Sequence, residues 1–316
     1  MFRLCIFLLA ILGLWPRMVC AAPQEELLSR SQLLELYGDP QQALSPAEAE
    51  ELLLKLTNHE REQAGLGRLM PLELAGYMAR RHAADMARQG YSAHFDTEGL
   101  NPVERYNRLG GTDYVQENLI LLEIEWPLGL TERLVRSFQR EWLDSPEHLR
   151  TMLSPQATHF GCAFELVDDN GIWRMAAVSE FVSEHGDYGR LPQQLRCGER
   201  LVLSGQLRPG TEPGYIGVGL QDSPRPLSIA ELNAVAPYYI LPQESYQLAI
   251  DRELSGELPR PPGAALDPEA AAGTFHLELE IPADWAGRTA YFYIFAWPEG
   301  DGELRCVACQ AVVMNI

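Results

Sequence analysis

The stretch Trp142–Leu153 (WLDSPEHLRTML) combines the end of one helix, the start of another and a histidine. Ser145 is followed directly by Pro146, and serine before a proline at the first helical position is typical of a helix N-terminus. The pattern predicts that Ser145 caps a short helix and that His148 lies in its first turn. A longer helix is predicted just before it, over Thr131–Trp142.

Two further polar positions lie upstream of this stretch, in the polar and turn-rich segment 91–118. His94 lies near its start, and Glu117 with Asn118 ends it, before the apolar run Leu119–Ile124 that predicts a strand. Together with the histidine of the short helix they supply two imidazoles and a carboxylate, which is the ligand set of an open zinc site. The same groups can form an acid–base cluster or a polar cluster that fixes loop geometry.

The rest of the first half mixes helix and strand patterns. Ser45–Glu48 (SPAE) has the spacing of a capping box with proline at the first helical position, and it predicts a helix that ends near Gly65. Apolar positions at helical spacing predict a second helix that Pro71 opens and Gly90 ends. The segments 159–165 and 172–182 predict an antiparallel strand pair. The first half is therefore predicted to be α+β.

The second half has a different character, with short β-rich runs separated by turn residues and almost no helical periodicity. This number of strands predicts a β-sandwich of the immunoglobulin-like kind, interrupted by a long loop over 252–273 that is rich in Pro, Ala and Gly. The predicted strands are Leu201–Leu207, Tyr215–Leu220, Tyr238–Leu241, Tyr246–Ile250, Thr274–Ile281, Thr289–Trp297 and Val307–Met314.

Six pieces of the first half resemble, in family order, the motifs of the CAP superfamily (cysteine-rich secretory, antigen 5 and pathogenesis-related proteins; SCP domain), and the bacterial branch in particular. The resemblance covers roughly residues 48–184 and leaves the second half without a recognised family. The pieces are Asn58–Arg61 with Gly65-Leu66, Ala79–Met86 (ARRHAADM), Ser92–Asp96 with Gly99, Glu117–Leu119, Trp142–Leu153 and Thr158–Gly161.

The resemblance implies a CAP-type α-β-α sandwich with a central cleft, lined in the family by two histidines and usually two acidic residues, where zinc or another divalent cation is found in some members. His94 matches the first cleft histidine, Glu117 the first glutamate and His148 the second histidine. The place of the second glutamate is taken by Ser145. The implied cleft comprises His94, Glu117, Asn118, Asp144, Ser145 and His148, with Asp144 or Glu147 as substitutes for the missing acid and His94, Glu117 and His148 as metal ligands.

The N-terminus has the pattern of a secretory signal peptide. Arg3 gives a positive start, Leu4–Trp15 is an apolar run too short to span a bilayer, and small residues precede a cleavage site before Ala22. The protein is therefore predicted to be extracytoplasmic, either periplasmic or secreted, with no membrane span after cleavage. The net charge of −19 repels a phosphate backbone, so no nucleic-acid partner is predicted.

Four cysteines remain after the predicted cleavage, and an even number in an exported chain predicts disulfides. They are Cys162, Cys197, Cys306 and Cys309, and the sequence does not choose among their three pairings. The predicted domains are a signal peptide (1–21), an N-terminal helical extension (22–44) with a helix over Gln24–Tyr37, a CAP-like domain (45–190) and a β-sandwich of unknown role (191–316).

Three functions are compatible with these features. The first is a binding module for a small ligand, a lipid or a protein partner, with a cleft able to hold a divalent metal. The second is a hydrolase, in which Glu117 and His148 act as catalytic groups with a metal, or Ser145 acts as nucleophile beside His148. The third is a structural component of the envelope. Binding is favoured over hydrolysis because no defined nucleophile and no second acid complete the catalytic set.

Overall fold

The computed structural model describes residues 29–235, 243–249, 265–266, 273–299 and 302–315. The predicted signal peptide, the start of the helical extension, the predicted strand Tyr238–Leu241 and most of the predicted 252–273 loop lie outside the described residues. Within the described ranges, no helix has the length and apolar character needed to cross a membrane.

The first half contains helices and one four-stranded sheet. The helices are α1 (Arg30–Tyr37), α2 (Pro46–Gln63), α3 (Glu73–Gln89), α4 (Pro102–Arg108), α5 (Glu132–Asp144) and α6 (Pro146–Met152). The strands are β1 (Met70–Pro71), β2 (Tyr114–Ile124), β3 (His159–Asp169) and β4 (Ile172–Ser183), in the order β1-β3-β4-β2.

Reciprocal side-chain caps set several helix starts. The predicted capping box of Ser45 and Glu48 is formed at the start of α2, and Asn101 with Glu104 forms another at the start of α4. The prediction that Pro71 opens a helix is wrong, because Pro71 pairs with β3 as part of β1 and the helix begins at Glu73.

The sheet is covered by helices on both faces, which confirms the predicted α-β-α arrangement. Alternation along β3 directs Phe160 and Phe164 toward α2 and α5, and Ala163 toward α3. Helix α3 lies very close to this strand, since a Cβ at Gly161 would overlap the backbone of α3. Helices α2 and α5 contribute Leu53, Leu134, Phe138 and Trp142 to one core, and α3 contributes Ala79, Ala83 and Met86 to the other.

The second half forms two sheets that bury one apolar core between them. Its strands are β5 (Gly186–Tyr188), β6 (Gln194–Arg196), β7 (Arg200–Leu207), β8 (Glu212–Asp222), β9 (Glu244–Ala249), β10 (Ala265–Leu266), β11 (Thr274–Glu280), β12 (Arg288–Trp297) and β13 (Arg305–Asn315). The sheets are ordered β10-β11-β7-β5 and β6-β13-β12-β8-β9. The immunoglobulin-like topology stays a prediction. Strand β5 lies inside the predicted CAP range but pairs with β7.

The two halves are joined by specific contacts. The side chain of Asn107 in α4 accepts a hydrogen bond from the backbone of Ala311 at 2.8 Å and donates to the carbonyl of Cys309 at 3.1 Å, both in β13. Beyond β8, the segment 223–235 returns to the first half, where Leu232 is fully buried in the core beside α3. These contacts hold the loop that precedes α4, and this loop carries His94.

The predicted disulfides are not formed, since Cys162, Cys197, Cys306 and Cys309 are all free. Cys162 packs in the core under α2, where its thiol contacts the carbonyl of Glu50 at 3.6 Å. Strand β13 has an irregular register between Cys306 and Ala308, and Val307 and Ala308 are both buried in the sandwich core. Burial raises the pKa of Cys306 and of Cys309, so neither thiol is activated.

Candidate functional site

Glu117 lies in the middle of β2, not in the loop end expected from the sequence. It pairs directly with Glu180 of β4, and both side chains face α3 and α4 because Leu119 on the same side of β2 packs against α3. Both residues are buried, with 3% and 0% of their surface exposed. Two carboxyl groups therefore meet inside the domain.

Arg105 of α4 is the main partner of Glu117. Its guanidinium donates to Oε2 of Glu117 at 2.5 Å, to the carbonyl of His94 at 2.7 Å and to that of Leu100 at 2.8 Å. Burial alone would raise the pKa of Glu117, but Arg105 and the nearby His82 outweigh it and hold that pKa well below its ordinary value. Glu117 is therefore a carboxylate inside the protein.

His94 uses the other oxygen of Glu117. The distance from its Nδ1 to Oε1 of Glu117 is 2.8 Å. Because an ionised carboxylate only accepts hydrogen bonds, Nδ1 is the donor. This bond fixes the orientation of the ring and its tautomer, as a carboxylate does for histidines in catalytic and metal sites.

His82 of α3 lies behind this pair, with its Nε2 4.0 Å from Oε1 of Glu117. The same nitrogen is 2.9 Å from the carbonyl of Ala93, which only accepts, so Nε2 donates. Burial and then Arg105 lower the pKa of His82 to about 4, so the ring is neutral at neutral pH. His82 is therefore a buried core histidine that donates a hydrogen bond to the backbone.

Glu180 has the opposite protonation behaviour from Glu117. Burial and then the adjacent Glu117 raise its pKa well above the ordinary value of 4.5. Burial and the adjacent carboxylate therefore favour the protonated, neutral form of Glu180. The cluster thus contains one negative charge, neutralised by Arg105.

This assignment predicts a pH-dependent effect of Glu180→Gln, which replaces the acid by a neutral amide of the same shape. A carboxyl whose pKa is raised on folding stabilises the native state below its unfolded pKa and loses that contribution as pH rises through the folded pKa. Stability of the variant relative to wild type should therefore increase as pH rises above the ordinary glutamate pKa of 4.5, by at most about 1.4 kcal/mol per pH unit. Urea unfolding at several pH values measures this difference.

The matched control is Glu51→Gln, an exposed position on α2. Its unfolding free energy should run parallel to that of wild type over the same pH range. A constant difference between Glu180→Gln and wild type would contradict a protonated Glu180.

His148 lies in the first turn of α6, as predicted. Asn118, fully buried in β2, donates from Nδ2 to the His148 carbonyl at 3.0 Å and so ties this helix to the strand of Glu117. Burial and then the neighbouring His94 lower the pKa of His148 to about 4. Its Nδ1 is buried with no hydrogen-bond partner among the described residues. The structure therefore brings His94, Glu117, Asn118 and His148 to one region.

The remaining predicted cleft residues are not part of this hydrogen-bonded cluster. Asp144 ends α5 and is exposed. Ser145 is the N-cap residue of α6 and Pro146 its first helical residue, as predicted, but the Ser145 side chain makes no capping hydrogen bond. Glu147 forms an ion pair with Arg150 on the same helix. None of the three substitutes for the second glutamate of the family pattern.

The predicted three-ligand metal set does not fit this arrangement. Among the described residues, no three His, Cys, Asp or Glu side chains are grouped so that they could hold a metal ion. The reason lies in Glu117, whose two oxygens already bond to Arg105 and His94. The guanidinium of Arg105 therefore occupies the position beside the Glu117 carboxylate where a metal ion would bind.

Sequence reasoning missed Arg105 and Glu180, the two residues that decide the protonation of the cluster. Asn101-Pro102 followed by Glu104 is a helix-start signature and could have predicted α4 inside the turn-rich segment. Glu180 lies in an apolar strand, where its carboxyl interrupts a buried pattern. An acidic residue inside an apolar strand predicts a polar partner across the sheet, because burying an unpaired carboxyl group costs free energy.

One family model matches part of the chain. Residues 54–180 match the family model of the cysteine-rich secretory protein family, CAP. A comparison with curated proteins finds no match.

Similar solved structures come from bacteria. An extracellular protein with an SCP domain from Bacillus anthracis is 18% identical, with 44% of this chain and 41% of that chain covered and a TM-score of 0.34. An outer surface protein from Borrelia burgdorferi is 15% identical, with coverages of 45% and 96% and a TM-score of 0.36. A cysteine-rich secretory protein from Staphylococcus aureus is 14% identical, with coverages of 44% and 40% and a TM-score of 0.32.

The first and third of these matches span less than half of the other protein's length. The family match agrees with the six motif pieces and their order, and it lies within the range over which they were found. Residues 54–180 of this chain therefore form a CAP domain.

Proposed function

We propose that the protein is an extracytoplasmic binding protein whose CAP domain recognises a small ligand, a lipid or a protein partner on the face that carries His94 and His148. One observation carries the proposal. Both carboxylate oxygens of Glu117 are engaged, by His94 and by Arg105, so Glu117 orients a histidine and is not placed to activate water. Export is supported by the signal-peptide pattern at the N-terminus.

A binding role also agrees with the side chains around the two histidines. Ser145 makes no side-chain hydrogen bond that would activate it as a nucleophile at the start of α6. Both the partnerless Nδ1 of His148 and the fixed ring of His94 can instead receive polar groups of a ligand. The second domain adds a further surface for recognition.

Hydrolysis is the second candidate, and the His94–Glu117 pair is the observation that favours it. A carboxylate that holds a histidine in one tautomer is the arrangement of a general base in acyl transfer. Such a base needs a nucleophile or a water within hydrogen-bond reach. Ser145 does not supply this nucleophile, because its side chain makes no activating hydrogen bond.

The two candidates are separated by comparing wild type with the double variant His94→Ala/His148→Ala. We expect no peptide or ester hydrolysis above background in either protein. We also expect no stoichiometric zinc in wild type, because its three-ligand set does not fit. Zinc content by elemental analysis and turnover of generic substrates are the measurements. Bound zinc at one per chain, or turnover lost in the double variant, would overturn the proposal.

Binding itself is tested with phosphatidylcholine vesicles, with and without a sterol, because a chain of net charge −19 is repelled by anionic lipids. Co-sedimentation of wild type that the double variant loses supports a lipid ligand on this face. Equal co-sedimentation of both proteins contradicts a role for His94 and His148.

A further inference from the structure

The loop between α3 and α4, residues 90–101, carries His94 and contains no helix or strand. Because no helical or sheet hydrogen bonds fix its backbone, the conformation of this loop depends on the groups that pack around it. The first half supplies part of this support, since Arg105 donates to the carbonyl of His94 and His82 donates to that of Ala93. The second domain supplies further contacts along the whole loop.

The segment 223–235 follows β8 of the second domain and packs on the part of the loop that carries His94. Leu232 of this segment is fully buried in the apolar cluster beside α3. The same cluster contains Ala93, and Phe95 packs against it. Both sequence neighbours of His94 therefore share a core with Leu232, so the position of the imidazole depends on this segment.

Hydrogen bonds from the same segment fix the backbone of the loop at its start and in its middle. At the start, the Asn233 side chain accepts from the N–H of Ser92 and donates to the carbonyl of Gly90, both at 3.3 Å. In the middle, the backbone N–H of Leu227 donates to the carbonyl of Thr97 at 3.1 Å. These bonds lie on both sides of the histidine along the chain, so the segment supports the loop at more than one point.

The end of the loop is held by strand β12 of the second domain. The hydroxyl of Tyr291 accepts a hydrogen bond from Nδ2 of Asn101 at 2.8 Å, and both residues are buried. Asn101 is also the N-cap residue of α4. This helix carries Arg105, whose guanidinium bonds to the His94 carbonyl and to Glu117. Tyr291 therefore supports both the loop and the helix that contact the histidine.

The hydrogen bond between His94 and Glu117 is sensitive to the position of this loop. Nδ1 of His94 lies 2.8 Å from Oε1 of Glu117, which is fixed in the middle of β2. A hydrogen bond weakens steeply when its angle departs from the optimum. A displacement of the loop therefore weakens this bond and releases the tautomer that the bond fixes.

We propose that the second domain positions His94, with Leu232 and Tyr291 holding the loop 90–101 in the conformation in which the imidazole bonds to Glu117. This role rests on the binding function proposed above, in which His94 is a fixed ring that receives polar groups of a ligand. Leu232 and Tyr291 are positioning residues, because they act on the ligand face through the loop. The CAP domain then has a complete ligand face only when the second domain is docked on it.

The 15N NMR spectrum of the His94 ring in the full chain, recorded at neutral pH, tests the proposal. A ring nitrogen that carries a proton resonates far from one that does not, so the spectrum reports the tautomer, and His94→Gln identifies the signals of this ring. In wild type we expect one tautomer, with the proton on Nδ1. In Leu232→Ala we expect shifts toward the mixture of a free imidazole, and exchange of the Nδ1 proton with water that is faster by about tenfold or more.

Leu277→Ala is the matched control, because Leu277 is also fully buried but belongs to the sandwich core and not to the cluster of Leu232. It removes the same side-chain atoms, so it should lower stability in urea to a similar extent and keep the wild-type His94 spectrum. Leu232→Met, which keeps most of the buried volume, should also keep that spectrum.

Tyr291→Phe removes one oxygen atom and decides the question if Leu232→Ala does not fold. It should shift the His94 signals in the same direction, because Asn101 loses its partner at the end of the loop. Tyr188→Phe is its control, since the buried Tyr188 hydroxyl has no hydrogen-bond partner among the described residues. This variant should leave the His94 spectrum unchanged.

An unchanged His94 spectrum in the folded variants of Leu232 and Tyr291 would overturn the proposal, and so would an equal shift in Leu277→Ala. The spectra are recorded without a ligand. A failure of this proposal is therefore distinguishable from a failure of the binding function, which the zinc, hydrolysis and vesicle assays test.

Discussion

Replacing Arg105 by methionine is expected to destabilise the CAP domain by about 3–5 kcal/mol, because it leaves the Glu117 carboxylate buried without its countercharge. Arg105 is only 8% exposed and Glu117 3%. The substitution also removes the donor to the carbonyls of His94 and Leu100, which hold the loop before α4. Urea unfolding at neutral pH, followed by the signal of the buried Trp142, measures the loss.

Arg108→Met is the control, since Arg108 lies three residues further along α4, with an exposed side chain and a surface ion pair to Glu98. It should change stability by less than about 0.5 kcal/mol. Adding Glu117→Gln to Arg105→Met should restore part of the loss, with a coupling energy of about 1.5 kcal/mol or more. Additive effects of the two substitutions would mean that the pair does not interact as the structure describes.

The importance of Arg105 also explains where prediction from sequence ends. The capping box at Ser45 and the strand pair β3–β4 follow from local patterns and were predicted, whereas the α-β-α layering was implied by the resemblance to the CAP superfamily. The role of Glu117 was not, because the residue ends a polar segment in sequence but lies in the middle of a strand whose partner Glu180 is distant along the chain. Cross-strand pairing of two acids cannot be read from either segment alone.

The same reasoning applies to the second domain. Most of its strands were predicted, because their sequences are rich in residues that favour β-strands. Segment 223–235 returns to the first half because Leu232 is buried in the core beside α3. The return also requires Gly99, whose positive φ of 81° and close approach to the Arg225 carbonyl suit only glycine. Such contacts join distant segments through one or two residues, and no periodic pattern in the sequence predicts them.

Arg61→Met should cost at least about 3 kcal/mol, because this buried arginine donates hydrogen bonds to carbonyl groups of two separate segments. The residue is 1% exposed and lies in α2. Its guanidinium donates to four carbonyl groups: Gly67 at 2.9 Å, Met152 at 2.9 Å, Ser154 at 2.9 Å and Ala157 at 3.0 Å.

These four bonds connect the loop after α2 with the turn after α6, so Arg61 fastens two segments that are far apart in sequence. Methionine fills similar volume but leaves the carbonyls without a donor, and a buried acceptor without a partner costs about 1–3 kcal/mol. Arg61→Lys tests geometry against charge, because a lysine keeps the charge but has only three donors and no planar fork. It should recover less than half of the loss.

Arg68→Met is the matched control for Arg61, because Arg68 is 60% exposed and pairs with Glu62 on the surface close to the same loop. Its effect should stay within about 0.5 kcal/mol. Hydrogen exchange should locate the damage of Arg61→Met in α6 and in the turn that follows it, close to His148. Full protection of these amides in the variant, together with unchanged urea unfolding, would show that the four carbonyls find other donors and that Arg61 does not hold this side of the cleft.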